Sequence, residues 1–351
     1  MTNSKNILVA PLNWGLGHAT RCIPIINALL NNGFTPILAS DGEALILLQK
    51  EFPDLVSIEL PPYNIRYAKN GRFFKWRMLH NMPRMISAIK KEHQQIKKIR
   101  CQFEISGIIS DNRLGIYHND IPSVYITHQL NVLSGISTKF TSWLHQKTIS
   151  KFNECWVPDI KGNNSFSGNL GHPKNNLKNV KHIGLLSRFK NTNTPVIYDS
   201  LIILSGPEPQ RSLLEAKLLN EFQKTSKKVL CIQGKVAPEQ LIKTIDNITI
   251  YNFMTSNQLE DVINKSGTII SRSGYTTIMD LATIGKKAFF IPTPGQYEQQ
   301  YLAKRMKKLN LANFSTQEKF SIEDLVEIED YKGLYGSRKS IEFKTLFKIF
   351  D

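Results

Sequence analysis

The chain has 351 residues, of which 41% are hydrophobic and 21% are charged, and its formal net charge is +16 at pH 7. This length suits two domains of roughly 150 residues each, and the composition excludes a disordered chain. Residues 1–200 hold 24 Lys and Arg against 12 Asp and Glu, so most of the excess charge lies in the first half. This positive charge predicts a partner that carries phosphate, but it does not distinguish nucleic acid, anionic lipid and nucleotide.

The cysteines and the apolar runs indicate which classes of protein can be excluded. Cys22, Cys101, Cys155 and Cys231 are scattered and have no zinc-type spacing with histidine, so we expect reduced thiols and no metal site. Met1 leads almost directly into an apolar strand, without the pattern of a cleavable signal. No run of about 18 apolar residues occurs. We therefore expect a cytoplasmic protein.

The first half alternates short apolar runs with amphipathic stretches. Strands are predicted at 7–12, 35–40, 56–60, 105–110, 123–127 and 155–157, with helices after His18 and from about Gly42. This order is typical of a parallel sheet covered by helices. Residues 161–180, rich in Asn, Gly, Ser and Lys, are predicted to be an exposed connection.

A second alternation follows, with strands predicted at 201–204, 229–233, 248–253, 268–271 and 288–292. The predicted fold class is α/β, with two Rossmann-like doubly wound domains that face each other across a cleft. We place the domains at residues 1–190 and 198–351, with the option that the last helix packs back on the first domain. Ligands of such sheets bind beyond the carboxyl ends of the strands.

The first strand runs into a glycine-containing loop, NWGLGHATR, at residues 13–21. Glycines allow a tight turn and let backbone N–H groups approach an anion where a helix begins. A plain strand-to-helix turn is the alternative, but the adjoining His18 and Arg21 favour a function. We predict an acceptor or phosphate loop made of Asn13, Gly15, Gly17 and Arg21.

Polar residues also follow two later strands, in SDNRLG at 110–115 and ITHQ at 126–129. His18 is the first candidate for a general base, and Asp111 is the second. Asn112, Arg113 and His128 are predicted on the acceptor side. Simple packing of polar strand ends is the alternative.

The second domain begins with LSGPEPQR at 204–211, again between a strand and a helix. Ser205 and Gly206 offer a hydroxyl and backbone donors to phosphate, with Arg211 close behind. Pro207 and Pro209 remove N–H groups, so the loop is not a Walker loop. A rigid structural turn is the alternative.

The most specific segment is SRSGYTTIMDLA at 271–282, followed by IPTP at 291–294 and EQQY at 298–301. It resembles the GT-B glycosyltransferases, especially the peptidoglycan (lipid II-forming) UDP-N-acetylglucosamine transferases with their glycosyltransferase family 28 C-terminal domain. Their signature is an SRxG turn, an acidic residue six positions after the glycine, an apolar-Pro-x-Pro strand and a Gln-Gln pair. Gly274 and Asp280 keep this spacing, although the acidic residue is normally Glu and Leu302 replaces a common Asn.

The resemblance implies roles for individual residues. Asp280 would hold the ribose hydroxyls, Gln299 and Gln300 the donor sugar, and the main chain at Met254 the uracil, while the loop with His18 matches the family's N-terminal loop. A carboxylate suits a diol because it accepts two hydrogen bonds. The donor-binding residues are therefore Ser205, Gly206, Arg211, Phe253, Met254, Arg272, Ser273, Gly274, Tyr275, Thr276, Asp280, Gln299 and Gln300.

The function that follows is transfer of a hexose or N-acetylhexosamine from a UDP-sugar to an acceptor hydroxyl, with lipid-linked acceptors as the family's class. The first domain would bind the acceptor and the second the nucleotide sugar, and no metal or other cofactor is expected. A nucleotide-sugar hydrolase on the same fold is the alternative. A nucleic-acid-binding protein would explain the charge, but the chain contains no known binding module.

Residues 65–100 hold eleven Lys and Arg and a single acid, Glu92, with Phe73, Phe74 and Trp76 among them. Aromatic side chains beside basic ones suit an anionic membrane surface. The alternative is a solvated basic helix whose aromatic residues lie in the core. The first interpretation predicts a peripheral protein at the inner face of the plasma membrane.

Overall fold

The structure is a computed structural model that describes residues 4–63, 74–133, 138–173, 177–206, 208–335 and 341–351, without the side chains of 74–82. The chain divides into two compact units. Of the described residues, the first unit comprises 4–63, 75–133, 138–173, 177–186 and 341–351, and the second comprises Phe74, 187–206 and 208–335.

Within the described residues, the first unit contains seven parallel strands in the order β3-β2-β1-β4-β5-β6-β7. The central strands are buried on both faces because helices cover them, which explains their continuous apolar runs. The strands are β1 Asn6–Pro11, β2 Thr35–Ser40, β3 Ser57–Glu59, β4 Ile105–Asp111, β5 Ser123–Ile126, β6 Glu154–Val157 and β7 Val180–His182, and the helices are α1 Gly17–Asn31, α2 Gly42–Glu51, α3 Phe74–Gln102 and α4 Thr138–Ile149.

The second unit repeats the plan with the order β10-β11-β9-β8-β12-β13-β14, in which β10 alone of these strands is antiparallel to its neighbour. The predicted α/β class with two Rossmann-like sheets is thereby confirmed. The strands are β8 Tyr198–Ile203, β9 Val229–Ile232, β10 Ile242–Ile245, β11 Ile248–Tyr251, β12 Ser266–Ser271, β13 Lys287–Phe290 and β14 Asn313–Phe314, and the helices are α5 Gln210–Phe222, α6 Ser256–Asn264, α7 Tyr275–Ile284 and α8 Tyr297–Lys308.

The stretch 161–180 was predicted to be an exposed connection, but part of it is buried. Asp159 is fully buried, and its carboxylate accepts hydrogen bonds from the backbone N–H of Phe166 (3.1 Å) and of Ser167 (2.9 Å). These bonds fold the chain into the sheet edge, where the 3₁₀ turn Gly168–Leu170 is buried. A carboxylate that satisfies several backbone donors is a tertiary feature that local composition does not reveal.

The end of the chain packs on the first unit through phenylalanine rings. In α9 (Phe343–Phe347), the ring centroid of Phe347 lies 5.8 Å from that of Phe34. Phe350 fills the space beside Gly107, where a Cβ atom would collide with its ring. Lys5 Nζ donates to the Phe350 carbonyl oxygen at 2.9 Å.

Arg113 holds four elements of the first unit together. It is fully buried, and its guanidinium pairs with Asp41 after β2 and with Glu92 on α3, where Nη1 lies 2.7 Å from Oε1. Its Nε donates to the Pro11 carbonyl oxygen at the end of β1, at 3.0 Å. This inward arrangement differs from the predicted acceptor contact, because two carboxylates already use the charge of Arg113.

The same cluster reaches the N-terminal loop. Asn13 Nδ2 donates to Asp41 Oδ2 at 3.0 Å, and Tyr63 Oη donates to Glu92 Oε2 at 2.7 Å. Burial raises the pKa of Glu92, although Arg113 and Tyr63 oppose the rise. The loop at 13–21 is therefore connected, through Asn13, to a network of buried charges.

We expect Arg113→Met to lower the free energy of unfolding by about 3–5 kcal/mol, because it leaves two buried carboxylates without their cation. Urea denaturation followed by tryptophan fluorescence measures the loss. The matched control is Arg100→Met, whose partner Asp120 lies 2.7 Å away at the surface, with side chains 33% and 65% exposed. That change should cost at most about 1 kcal/mol. Equal small losses in both variants would contradict the structural role of Arg113.

Candidate active site

Three polar residues of the first unit meet at the carboxyl ends of adjacent strands. His18 lies in the first turn of α1, Asp111 ends β4, and His128 follows β5. Strands β1, β4 and β5 are neighbours, so these side chains reach the same edge of the sheet. Arg21, one turn further along α1, contacts all three of them.

Asp111 is the centre of this group. Its carboxylate is fully buried and accepts hydrogen bonds from Nε and Nη2 of Arg21, while Oδ1 lies 2.7 Å from His18 Nδ1. Burial would raise the pKa of Asp111, but the Arg21 guanidinium and then His18 outweigh burial and hold the pKa below its usual value. Asp111 is therefore an anion at neutral pH.

His18 is partly exposed, with 16% of its side chain accessible, whereas Arg21 and Asp111 are buried. Burial lowers its pKa, Asp111 opposes this, and Arg21 adds to the lowering, so the ring is neutral at pH 7. Three groups face Nδ1: Asp111 Oδ1 at 2.7 Å, Arg21 Nη2 at 2.9 Å and Asn112 Nδ2 at 3.3 Å. The carboxylate can only accept and makes the shortest of these contacts, so it favours a ring hydrogen on Nδ1. The lone pair then lies on Nε2.

Asn112 and His128 complete the group. Asn112 has a left-handed backbone (φ 57°), and its Nδ2 lies 3.3 Å from His18 Nδ1 while its Oδ1 accepts from Tyr125 Oη at 3.0 Å. His128 is buried, and its Nδ1 lies 3.0 Å from Arg21 Nη1. Arg21 itself is buried with its guanidinium turned inward, which differs from the predicted contact with a phosphate.

The remaining residues of the N-terminal loop lie beside this group. Gly15 has φ 75°, and no atom lies within 4 Å of the position that a Cβ would take, so the loop is open at this point. Gly17 is the first residue of α1, whose first turn carries no acidic residue. These features leave the helix N-terminus positive, as an anion site requires.

In the second unit, the SRxG turn joins the two segments that the motif predicts. Ser273 Oγ donates to the Gln299 carbonyl oxygen at 2.8 Å, and Gln299 Oε1 accepts from the Thr293 backbone N–H at 2.8 Å. The turn, the Pro-x-Pro strand end and the glutamine pair thus share one location. The Gln299 side chain braces the loop from inside, whereas Gln300 is half-buried.

Arg272 is buried under the same turn. Its guanidinium donates to backbone oxygens of Gln210 (2.8 Å) and Ile291 (3.0 Å) and to Oε1 of Gln317 (2.7 Å). Burial lowers the pKa of Arg272 to about 9. Arg272 therefore braces the loops around the turn, and this differs from the predicted direct contact with the donor.

Asp280 lies on α7, six residues beyond Gly274, and is buried. Its Oδ1 accepts from Ser187 Oγ at 2.7 Å. Burial raises its pKa to about 6, although Arg188 and Ser187 act against the rise. Ser187 and Arg188 were not predicted at this site, since no local pattern relates them to a residue about ninety positions away.

The other predicted donor residues differ in their surroundings. Gly206 has φ 96° with open space around its Cβ position, and Ser205 beside it is half-buried, while Pro207 lies outside the described residues. Arg211 is buried and pairs with Glu208 and with Glu215 (2.9 Å). Its charge is thus used by two nearby carboxylates, which differs from the predicted contact with the donor.

The residues predicted to bind uracil and the remaining residues of the turn lie in ordered segments of the second unit. The Phe253 carbonyl oxygen accepts from Gln240 Nε2 at 2.8 Å, and Met254 beside it is buried. Tyr275 is buried, whereas Thr276 is half-buried at the start of α7. Gln240 was missed in the sequence, because it lies on an irregular segment before β10.

Among the described residues, no three His, Cys, Asp or Glu side chains are grouped so that they could hold a metal ion. Among the helices described, none has the length and apolar character needed to cross a bilayer.

Comparison with known proteins identifies the second unit. Residues 200–330 match the glycosyltransferase family 28 C-terminal domain. The chain is 24% identical, over 94% of its length and 92% of the relative's, to the UDP-N-acetylglucosamine--N-acetylmuramyl-(pentapeptide) pyrophosphoryl-undecaprenol N-acetylglucosamine transferase of Sulfurihydrogenibium sp. (strain YO3AOP1). A protein of the same name from Buchnera aphidicola subsp. Schizaphis graminum is 26% identical over 58% of this chain and 56% of that protein.

Solved structures agree in fold. The glycotransferase of kitacinnamycin superposes with a TM-score of 0.60 at 14% identity, over 93% of this chain and 91% of that chain. Acinetobacter baumannii MurG gives a TM-score of 0.51 at 13% identity, over 94% and 92%. The resemblance inferred from the SRxG segment is confirmed: residues 200–330 carry a glycosyltransferase family 28 C-terminal domain, and the chain has the fold of the GT-B glycosyltransferases.

Proposed function

We propose that the chain transfers a hexose or N-acetylhexosamine from a UDP-sugar to a hydroxyl of a lipid-linked acceptor. The observation that carries this proposal is the His18–Asp111–Arg21 group at the carboxyl edge of the first sheet, in a chain whose other unit has the family 28 donor domain. The names of the relatives support the nucleotide sugar and the acceptor class.

In the proposed reaction His18 is the general base. Its Nε2 takes the proton of the acceptor hydroxyl as that oxygen forms a bond to the anomeric carbon of the sugar. The bond from this carbon to the diphosphate oxygen breaks, and its electron pair leaves with UDP. His18 then releases the proton to solvent. Asp111 stays ionised throughout because the Arg21 guanidinium donates to both of its oxygens. Its contact with His18 Nδ1 orients the ring.

For the donor, we propose the start of α7 as the diphosphate site and Asp280 as the ribose ligand. Gly274 precedes a helix of ten residues without an acid in its first turn, so its N–H groups and dipole suit a leaving group that gains negative charge. We propose that this stabilisation needs no metal.

The direct test is the release of UDP from UDP-N-acetylglucosamine and UDP-glucose, with and without a lipid-linked acceptor and with and without a chelator. Acceptor-dependent release that the chelator leaves unchanged is expected. Release at the same rate without any acceptor would indicate a nucleotide-sugar hydrolase, in which water replaces the acceptor hydroxyl. Absence of release from every UDP-sugar would overturn the proposed function.

We expect His18→Ala to lower turnover by about 100- to 10,000-fold while UDP affinity stays nearly constant, because the base is lost and the donor motif belongs to the other unit. Turnover, UDP affinity and melting temperature are measured on one preparation. The control is His118→Ala, a half-buried histidine of the same unit that lies beside Arg100. Full turnover in folded His18→Ala would remove His18 from the reaction.

The raised pKa of Asp280 predicts a pH effect on donor binding. The carboxyl is charged above a pH of about 6 and neutral below it. Hydrogen bonds to a charged group are the stronger ones, so affinity for the ribose should fall as the pH drops through about 6. Uridine is the probe, because it carries no phosphate that titrates in this range. Asp280→Asn should make the affinity low and independent of pH, and a wild-type affinity that does not change with pH would contradict the assignment.

We further propose that the first unit docks on an anionic membrane surface, at the inner face of the plasma membrane. Phe73 lies outside the described residues, and the side chains of Phe74 and Trp76 are not described, so the expected contact at 65–100 stays a prediction. The described residues add a second surface on α4, where Phe140, Trp143 and Leu144 are 62%, 55% and 45% exposed. Lys147 Nζ lies 5.4 Å from the Trp143 ring centroid, so positive charge borders this apolar face.

The double change Phe140→Ser and Trp143→Ser should reduce sedimentation with vesicles that contain anionic lipid, because two exposed aromatic anchors are lost. Val326, 78% exposed on the second unit, offers a matched control as Val326→Ser. Binding that is unchanged in the double variant and equal to that of the control would rule out the α4 face.

A further inference from the structure

We propose that Arg21 is a positioning residue that keeps Asp111 ionised and so selects the tautomer in which His18 Nε2 can accept a proton. The inference rests on the proposed role of His18 as the base. Arg21 was predicted to belong to the acceptor or phosphate loop, whereas its guanidinium lies against Asp111, His18 and His128.

The guanidinium uses all three of its nitrogens inside the group. Nε and Nη2 form a fork on the two oxygens of Asp111, and Nη1 lies 3.0 Å from His128 Nδ1. Arg21 and Asp111 are both buried almost completely, so water does not compete for these contacts. A paired, planar fork of this kind fixes the orientation of a carboxylate as well as its charge.

The tautomer of His18 depends on the charge of Asp111. An ionised Asp111 can only accept, so His18 carries its hydrogen on Nδ1 and leaves Nε2 free. A protonated Asp111 would donate to Nδ1, and the ring hydrogen would then lie on Nε2, where a base needs its lone pair. Since Asp111 is fully buried, removal of the guanidinium favours the protonated form.

Arg21 also acts on His18 directly. Its Nη2 lies 2.9 Å from His18 Nδ1, so its positive charge disfavours a second proton on the ring. The same cation therefore keeps the acid charged and the base neutral at one pH. Loss of Arg21 moves both titrations to higher pH, and both movements reduce the active form at neutral pH.

The other titratable groups near His18 do not replace this function. Cys22 Sγ lies 3.8 Å from Asp111 Oδ2, and burial raises the pKa of the Cys22 thiol well above its usual value. Burial likewise raises the pKa of Tyr125, which reaches His18 only through Asn112. Both are neutral at pH 7. The charged and titratable groups that face His18 are Asp111 on β4, Arg21 on α1 and His128 after β5.

The test is Arg21→Met in the full chain, with two readouts. The first is the tautomer of His18 in protein labelled with ¹⁵N-histidine, where two-bond correlations distinguish Nδ1–H from Nε2–H and the His18→Gln variant assigns the signal. We expect Nδ1–H in the wild type and Nε2–H in Arg21→Met at pH 7. The second is the pH profile of kcat/KM, whose acidic limb should move up by about 1–3 units.

Three further variants separate this role from a structural one. Arg21→Gln removes the charge but keeps a hydrogen-bond donor, so it should act like Arg21→Met and covers the case in which the latter does not fold. Arg21→Lys keeps the charge without the fork, so it should move the acidic limb less than either. Phe350→Ala removes a buried ring of the same unit that packs beside Gly107 and does not contact His18, so it should lower the melting temperature without moving the limb.

The outcomes are distinct. A folded Arg21→Met or Arg21→Gln protein with the wild-type tautomer and an unmoved limb would overturn the inference. The tautomer readout does not depend on turnover, so it decides the inference even if no UDP-sugar is consumed. Absence of turnover in the wild type would instead reject the proposed function and leave the tautomer result standing.

Discussion

A carboxylate buried at the carboxyl end of a parallel strand needs a cation, and the first unit depends on meeting this need twice. Asp111 forms an ion pair with Arg21, which lies on the helix that follows β1. Arg113 forms ion pairs with Asp41 and Glu92 from neighbouring elements. Removing one partner of such a pair costs far more than the pair contributes, because an isolated buried charge remains. The two arginines therefore fix the geometry of the sheet edge on which His18 lies.

In the second unit, the buried Arg272 is bound by backbone oxygens instead of carboxylates. Arg272 donates to backbone oxygens at the start of α5 and at the end of β13, so it joins loops that are distant in sequence. Carbonyl dipoles stabilise the cation without cancelling its charge, and burial lowers its pKa to about 9. Positive charge thus remains under the turn that starts α7. This is consistent with the proposed diphosphate site, where negative charge would develop.

The fold and the family were accessible from the chain because both depend on local or regularly spaced patterns. Continuous apolar runs of β-forming residues mark buried parallel strands, and the SRxG turn with Asp280 six residues on marks the donor domain. Strands β7, β10 and β14 were not predicted, because these strands are only two to four residues long and carry no continuous apolar run. The buried turn after Asp159 was not predicted for a related reason, since one side chain replaces the usual backbone partners.

By itself the sequence determined the two Rossmann-like sheets, the family 28 domain and the loop that carries His18, because these follow from periodicity and from spacing within a few residues. The partners of the buried charges were decided by the tertiary structure alone. Arg21 and Asp111 are separated by 90 residues, and Arg113 and Asp41 by 72, so nothing in the local pattern relates them. A sequence shows that an arginine stands beside a glycine-rich loop, but its side chain turns towards a ligand or a buried carboxylate according to which charge the fold brings within reach.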